Sequence, residues 1–359
     1  MKSALIFFIA ITTLTLSAQN VIPVVDFNGF FKNFKNGFFQ QIEFQRIEEF
    51  KAGDNLVAYV DFRGNLRVYD GTKGMNVANL KVEYRVSDNL MTWRIGRTLN
   101  MWDSGVTQTL SYDVRNYWVK DEIIVFEDMR YGNVNVYYKG KVKTLYTSIG
   151  DLESPDFIGE NIVAFRDNGN FNKVFWNGRI YDLDVWHEPF KFEGGTDILA
   201  FNDPINGTFA VFENGNFLDV EDFHVNDYKS GRGFVVYENR NENLIFYANG
   251  KQKQLTNFGA TKWEVKDDIV VWSENNFTYA YIDGQKHEIA RYIPENYVLK
   301  NGVVAFRNLM GGVSALIDGR VVVITNQMNS EYEIYGNSIL VSLFNNSFIV
   351  YSNGKKYTL

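Results

Sequence analysis

Apolar runs of four or five residues recur along the chain, separated by short polar turns. The stretch Tyr297–Thr325 shows the unit: YVLK, VVAFR, VSALI and VVVIT, broken at Asn301-Gly302, at Asn308–Gly312 and at Asp318-Gly319. Asn-Gly and Asp-Gly between apolar runs predict tight hairpins, because both central residues of such a turn take positive φ. The glycine that turns the third strand into the fourth recurs at Gly37, Gly71, Gly105, Gly140, Gly178, Gly215, Gly250, Gly284, Gly319 and Gly354, spaced 34–38 residues apart. A period in that range marks a repeat architecture.

Three further columns keep the same register. Apolar strands such as VYDG at Val68, FWNG at Phe175 and YIDG at Tyr281 precede the glycines. Continuous runs such as LVAY at Leu56, IIVF at Ile123, ILAF at Ile198 and VVAF at Val303 read as strands buried on both faces. An aromatic stands before each of these runs: Phe50, Tyr84, Trp118, Phe157, Phe192, Tyr228, Trp263, Tyr297 and Tyr332. Four strands and three turns make one small antiparallel sheet, which cannot bury both of its faces without neighbours.

Radial stacking of such sheets predicts an all-β propeller of nine to ten short four-stranded repeats. Nine units are complete from Phe50 onward, and an earlier one from Pro23 has only its last three strands. The last unit ends in its own fourth strand, KKYTL at Lys355, so closure by a shared N-terminal strand is not expected. No linker interrupts the period, which predicts one domain over residues 19–359. The inner aromatic, the I-A-F-like strand and the I-Y-x-x-D-G-like strand, seen in K-N-G-V-V-A-F at Lys300 and A-Y-I-D-G at Ala280, resemble Trp-Asp-repeat propellers and TolB-like propellers. The resemblance covers about residues 20–359 and implies architecture; the usual Ser-Pro-Asp-Gly turn is absent and the units are shorter than is typical. TolB-like propellers work in envelope assemblies, so the resemblance also implies a binding role.

Composition narrows the function. With 30 Phe, 21 Tyr and 7 Trp in 359 residues the chain can build a large core. A net charge of −7, with scattered Lys and Arg, opposes binding to nucleic acid or an anionic membrane surface. Lys2, the apolar run Ala4–Leu16 and the small pair Ser17-Ala18 predict a signal peptide over residues 1–18 and export to the periplasm or the exterior. That run is too short to span a bilayer, and no later segment is long enough. The chain has no Cys, hence no disulfide and no lipid-anchoring cysteine.

Catalytic signatures are absent from the sequence. There is no nucleophile elbow, H-E-x-x-H, phosphate loop or dinucleotide fingerprint, and no cofactor is expected. His187, His224 and His287 fall in different units without metal-site spacing. Asp219-Val-Glu-Asp222 reads as a solvated acidic turn, and Ser87–Trp93, faintly like a sialidase Asp-box, reads as a turn and second strand. The loops after the second strands mix Arg, Asn, Asp and aromatics, a chemistry suited to protein or glycan partners. Glu127, Arg130, Arg166, Glu238, Arg240 and Arg307 are the binding candidates there, with Trp118 and Trp263 of the aromatic column. The expectation is a non-catalytic binding scaffold for a protein or glycan of the envelope or exterior. The alternative is a carbohydrate-active enzyme using carboxylates in the channel, with Glu127 and Glu238 as candidates.

Overall fold

The computed structural model describes residues 21–148, 151–183, 191–344 and 346–359. The segment predicted as a signal peptide, and His187, lie outside the described residues. Ten antiparallel sheets follow one another along the chain, nine of four strands and one of three. Blade 1 is the three-stranded sheet: β1 (Ile22–Val25), β2 (Phe30–Lys35) and β3 (Phe38–Arg46). Blades 2 to 10 run from Glu49 to Thr358, each with its strands in simple meander order. The tightest approaches between blades involve their first strands, which therefore stand at the centre with the fourth strands outside.

Apolar packing closes the ring. Ten buried clusters lie one at each junction between neighbouring blades. Nine join consecutive blades. The tenth joins the ends of the chain: Ile22, Val24 and Phe34 of blade 1 against Tyr335, Leu340 and Val350 of blade 10. Burying an aliphatic or aromatic side chain contributes about 1.5–3 kcal/mol, so six of them supply on the order of 10 kcal/mol as an upper estimate. The rings of Phe34 and Tyr357 meet there at 5.0 Å. Among the described residues the ring thus closes side by side, without a strand shared between its first and last blades.

The turn chemistry is that of two-residue hairpins. Asn36, Ser104, Lys139, Asn177, Asn214, Asn249, Asp283, Asp318 and Asn353 take positive φ beside the positive-φ glycines of the repeat. Glycine in the turn between first and second strands has another cause. A Cβ on Gly53 would lie 2.0 Å from the carbonyl oxygen of Ser87, and one on Gly195 would lie 1.9 Å from that of Gly231. Adjacent inner turns touch backbone to backbone there.

In blade 4 the aromatic column falls on Tyr117 rather than on Trp118. Tyr117, 2% exposed, takes the buried position expected for Trp118, which is half-buried. Tyr117 pairs with Phe126 just as Tyr84 pairs with Trp93 and Trp263 with Trp272, so the column keeps its register and Trp118 is the residue beside it.

Candidate binding face and channel

The strand order gives the ring two unlike ends. Turns between first and second and between third and fourth strands gather at one end, the turn face. Loops between second and third strands, and the connections between blades, gather at the other, the loop face. Along the inner strands polar residues alternate with buried ones, as in Glu83-Tyr84-Arg85 and Lys262-Trp263-Glu264, so exposed charges of both signs line the channel. Lys51, Arg85 and Lys229 each reach the next blade, donating to the carbonyls of Tyr84, Tyr117 and Trp263 while standing over those rings. These cations tie blade to blade.

At the turn face the inner turns bond to one another around the ring. Asp54 N–H donates to Asp88 at 3.0 Å, Asp88 N–H to Asp121 at 3.1 Å and Asp121 N–H to Glu160 at 3.3 Å. Asn161 and Asp197 exchange two bonds, and Arg232 N–H donates to the Asp267 carbonyl. Blade 1 shows no inner strand among the described residues, and Asp54 of blade 2 reaches across to blades 9 and 10. Its carboxylate accepts from Gly336 N–H of blade 10 at 2.8 Å, from Asn301 Nδ2 of blade 9 and from Lys300 Nζ at 2.7 Å. Lys300 also meets Asp88 of blade 3 at 2.7 Å. One lysine thus stoppers the channel between blades 9, 2 and 3.

Burial shapes the ionisation of this cluster. Burial opposes the charge on Lys300, but hydrogen bonds to Asp54 and Asp88 outweigh it and hold its pKa above the ordinary lysine value. Burial and the neighbouring Asp54 raise the pKa of Asp88 against the pull of Lys300. Burial, Asp88 and Glu160 push Asp121 up to about 7.

The loop face has different chemistry. Fourteen of the 25 exposed large hydrophobic side chains among the described residues stand on its loops and connections, while Phe38, Val106, Val142 and Val321 lie at or one residue past the outer turns of the opposite end. The prominent ones are Phe27, Phe62, Tyr131, Leu309, Met310 and Phe344, between 49% and 78% exposed. Exposed arginines accompany them: Arg46, Arg63, Arg97, Arg130, Arg240 and Arg291. Arg63 stands over Phe62, Arg130 over Tyr131 and Arg240 over Phe223. Exposed lysines gather at the other end, as with Lys73, Lys139, Lys141, Lys251, Lys355 and Lys356, where Arg179, Arg232 and Arg320 are exposed as well.

The sequence-selected residues divide between this surface and the framework. Arg130 and Arg240 are exposed in loops; Arg166 ends a second strand beside Asp156, at 3.2 Å. Arg307 ends another, reaching the Gly311 carbonyl and lying over the Tyr332 ring. Glu127 lies within a strand, fully buried, accepting from Arg115 Nε, Asn116 Nδ2 and Ser154 Oγ at 2.6–2.8 Å. Glu238 ends a strand in blade 7 and accepts from Trp263 Nε1 at 2.9 Å. Trp263 is 6% exposed and Trp118 packs against the cluster joining blades 4 and 5. Sequence reasoning missed Asp54, Asp88 and Lys300 at the stopper, and the apolar loop tips; large apolar residues where Asn, Asp or Gly would serve a turn were the available signal for the tips.

Among the described residues no group of three or more His, Cys, Asp or Glu is placed to share a metal ion. In the acidic turn each carboxylate has its own neighbour: Asp219 takes Thr208, Glu221 takes Tyr237, and Asp222 lies 3.5 Å from Arg240.

No curated protein matches the chain. Solved structures similar to it include the computationally designed Ika8 protein, at 18% identity over 75% of this chain and 93% of that one, with a TM-score of 0.30. Prp20p of Saccharomyces cerevisiae follows at 8% identity over 72% and 92%, TM-score 0.32. The WD40 β-propeller domain of Doa1 matches at 15% identity over 68% and 94%, TM-score 0.26. Likeness at this level says nothing about function. The model of the ten-bladed β-propeller domain matches residues 15–357, in accord with the ten sheets counted above, and the chain belongs to that family.

Proposed function

We propose that this protein is an exported, non-catalytic scaffold that binds a partner protein through its loop face. The observation that carries this reading is the gathering of most exposed Phe, Tyr, Leu and Met side chains on the loops of one end of the ring, with six exposed arginines among them. Aromatic residues, Met and Arg are enriched in the cores of protein interfaces, and Lys is depleted. Apolar side chains displayed together at the rim of a rigid ring offer a partner surface to bury. The resemblance to TolB-like propellers of envelope assemblies points the same way, by analogy of fold only. The signal-peptide-like start supplies the route out of the cytoplasm.

The channel carboxylates favour a structural role over catalysis. Asp54 and Asp88 share Lys300, and Asp88, Asp121 and Glu160 each cap a neighbouring turn's N–H. Glu127 and Glu238 lie three blades apart, each bonded to framework groups. The test uses the purified chain as bait on envelope and secreted fractions, with a glycan array beside it. A defined protein retained by the wild type and lost on Leu309→Ser with Met310→Ser supports the scaffold. Glycan cleavage by the purified chain overturns it.

A further inference from the structure

The loop-face mouth of the channel carries a pocket of about 210 Å³ between blades 3 and 4. Its lining comes from the first strands of the two blades, Glu83–Val86 and Val114–Val119, and from Arg94 near the end of the second strand of blade 3. Drug-sized ligands occupy roughly 300 Å³ or more, so this space suits one ring-sized unit of a ligand. Three guanidinium groups, of Arg85, Arg94 and Arg115, line it with a single carboxylate, Glu83. Both oxygens of Glu83 are taken: Oε1 by Tyr117 OH at 3.0 Å and by Arg85, Oε2 by Arg94.

Framework bonds hold the arginines and leave donors over. Arg85 donates to the Tyr117 carbonyl, and Arg115 gives Nε to the buried Glu127 at 2.7 Å and Nη2 to the Leu152 carbonyl. Arg94 Nε and Nη1 and Arg115 Nη1 have no acceptor among the described residues. Even with Glu127 counted, three cations meet two carboxylates, in a chain of net charge −7. Asp151, Glu153 and Asp156 line a separate pocket at blade 5. Trp118 adds an apolar face. It follows the aromatic column, where blades 2, 3 and 7 carry Lys51, Arg85 and Lys229, and it is half-buried. Asn116 spends its Nδ2 on Glu127, which leaves its Oδ1 as an acceptor.

We propose that this pocket binds one uronic acid unit of an acidic glycan, its carboxylate against the arginines and the C–H face of its ring on Trp118. Guanidinium groups with spare N–H donors take a carboxylate through charge-assisted hydrogen bonds. A neutral sugar would leave the excess cation unmatched. An Asp or Glu side chain of a peptide would meet the arginines but has no ring to cover Trp118. The unit is held without being cleaved. Burial opposes the charge on Glu83, but the Tyr117 hydroxyl and the guanidiniums of Arg94 and Arg85 outweigh it and hold its pKa below the ordinary value, so the pocket supplies no proton donor to a glycosidic oxygen. The pocket lies apart from the apolar loop tips, so this proposal and the loop-face reading fail independently.

The probes are trigalacturonate, its methyl ester and a short Glu-rich peptide, titrated into the purified chain by calorimetry. Trigalacturonate is expected to bind at least about tenfold more tightly than the ester, which keeps the ring and removes the charge; that factor is the worth of one charge-assisted hydrogen bond. Arg94→Gln should weaken trigalacturonate by a similar factor, with its urea midpoint as the check on folding. The comparison of acid with ester uses the wild type and does not depend on any variant folding. In fluorotryptophan-labelled protein the fluorine resonance assigned to Trp118, through Trp118→Phe, should shift as trigalacturonate is added. No saturable binding of trigalacturonate, equal binding of the ester, a Trp118 resonance that stays in place, or tighter binding of the Glu-rich peptide overturns the proposal.

Discussion

Asp54→Ala removes the residue that joins blade 2 to blades 9 and 10 past the first blade. The carboxylate, 9% exposed, loses Lys300 at 2.7 Å, Gly336 N–H at 2.8 Å and Asn301 Nδ2 in one step. Removing one member of a buried ion pair costs about 3–5 kcal/mol. Here Lys300 keeps Asp88 at 2.7 Å, so that part falls to about 2 kcal/mol. A buried Gly336 N–H left without an acceptor adds about 1–3 kcal/mol. The expected loss is therefore about 3–5 kcal/mol, read as a lowered urea midpoint by tryptophan fluorescence. Asp54→Asn keeps an oxygen for Gly336 and should lose less. Lys300→Met leaves Asp54 and Asp88 facing each other, so its cost should be greater at pH 8 than at pH 5, where a proton can replace the lysine. The reasoning is refuted if Asp54→Ala costs no more than Asp222→Ala, whose carboxylate is 89% exposed.

Other expectations follow from the same packing. The folded pKa of Asp121, about 7, lies above the ordinary 3.8, so the folded state holds a proton that the unfolded chain releases, and stability falls as pH rises through that window. Asp121→Asn should therefore stabilise the protein above about pH 7 and give no gain below about pH 4, as urea midpoints across pH would show. Trp263→Ala should cost about 3–5 kcal/mol, from a buried ring whose loss also frees Glu238, and calorimetry should record the drop before any binding defect is read. Gly195→Ala drives a methyl into the Gly231 carbonyl, so the inner turns of blades 6 and 7 must separate; faster hydrogen exchange at Arg232 and Gly233 is the expected sign.

Much of the fold was legible because its determinants are local. The glycine column marks hairpins through backbone conformation alone, and the unbroken apolar runs at Ile123 or Ile198 announce strands buried on both faces. The incomplete first unit was legible too: three strands from Pro23, with proline tolerated in β1 because that strand is a sheet edge. What sequence could not supply depends on distance along the chain. Asp54 and Lys300 are separated by more than two hundred residues and look like ordinary turn residues; only ring closure brings them together. Glu127 was read as a loop carboxylate because nothing local reveals that Arg115, Asn116 and Ser154 converge on it. Trp118 was placed one residue out of register because Tyr117 and Trp118 are adjacent aromatics, and composition does not say which of the two is buried. The apolar loop tips were visible as residues, but their gathering at one end of the ring needed the topology.

The measurement that bears most directly on the scaffold is a site-specific photocrosslinking map in the native cell. A photoreactive residue would replace Phe62, Tyr131, Leu309 or Phe344 on the loop face and, in parallel, Asn36, Lys139, Asn249 or Asp318 on the turn face. The account predicts adducts of one common partner protein from the loop-face positions and none from the turn-face positions. Adducts from the turn face alone, or no protein adduct from any loop-face position, would contradict it.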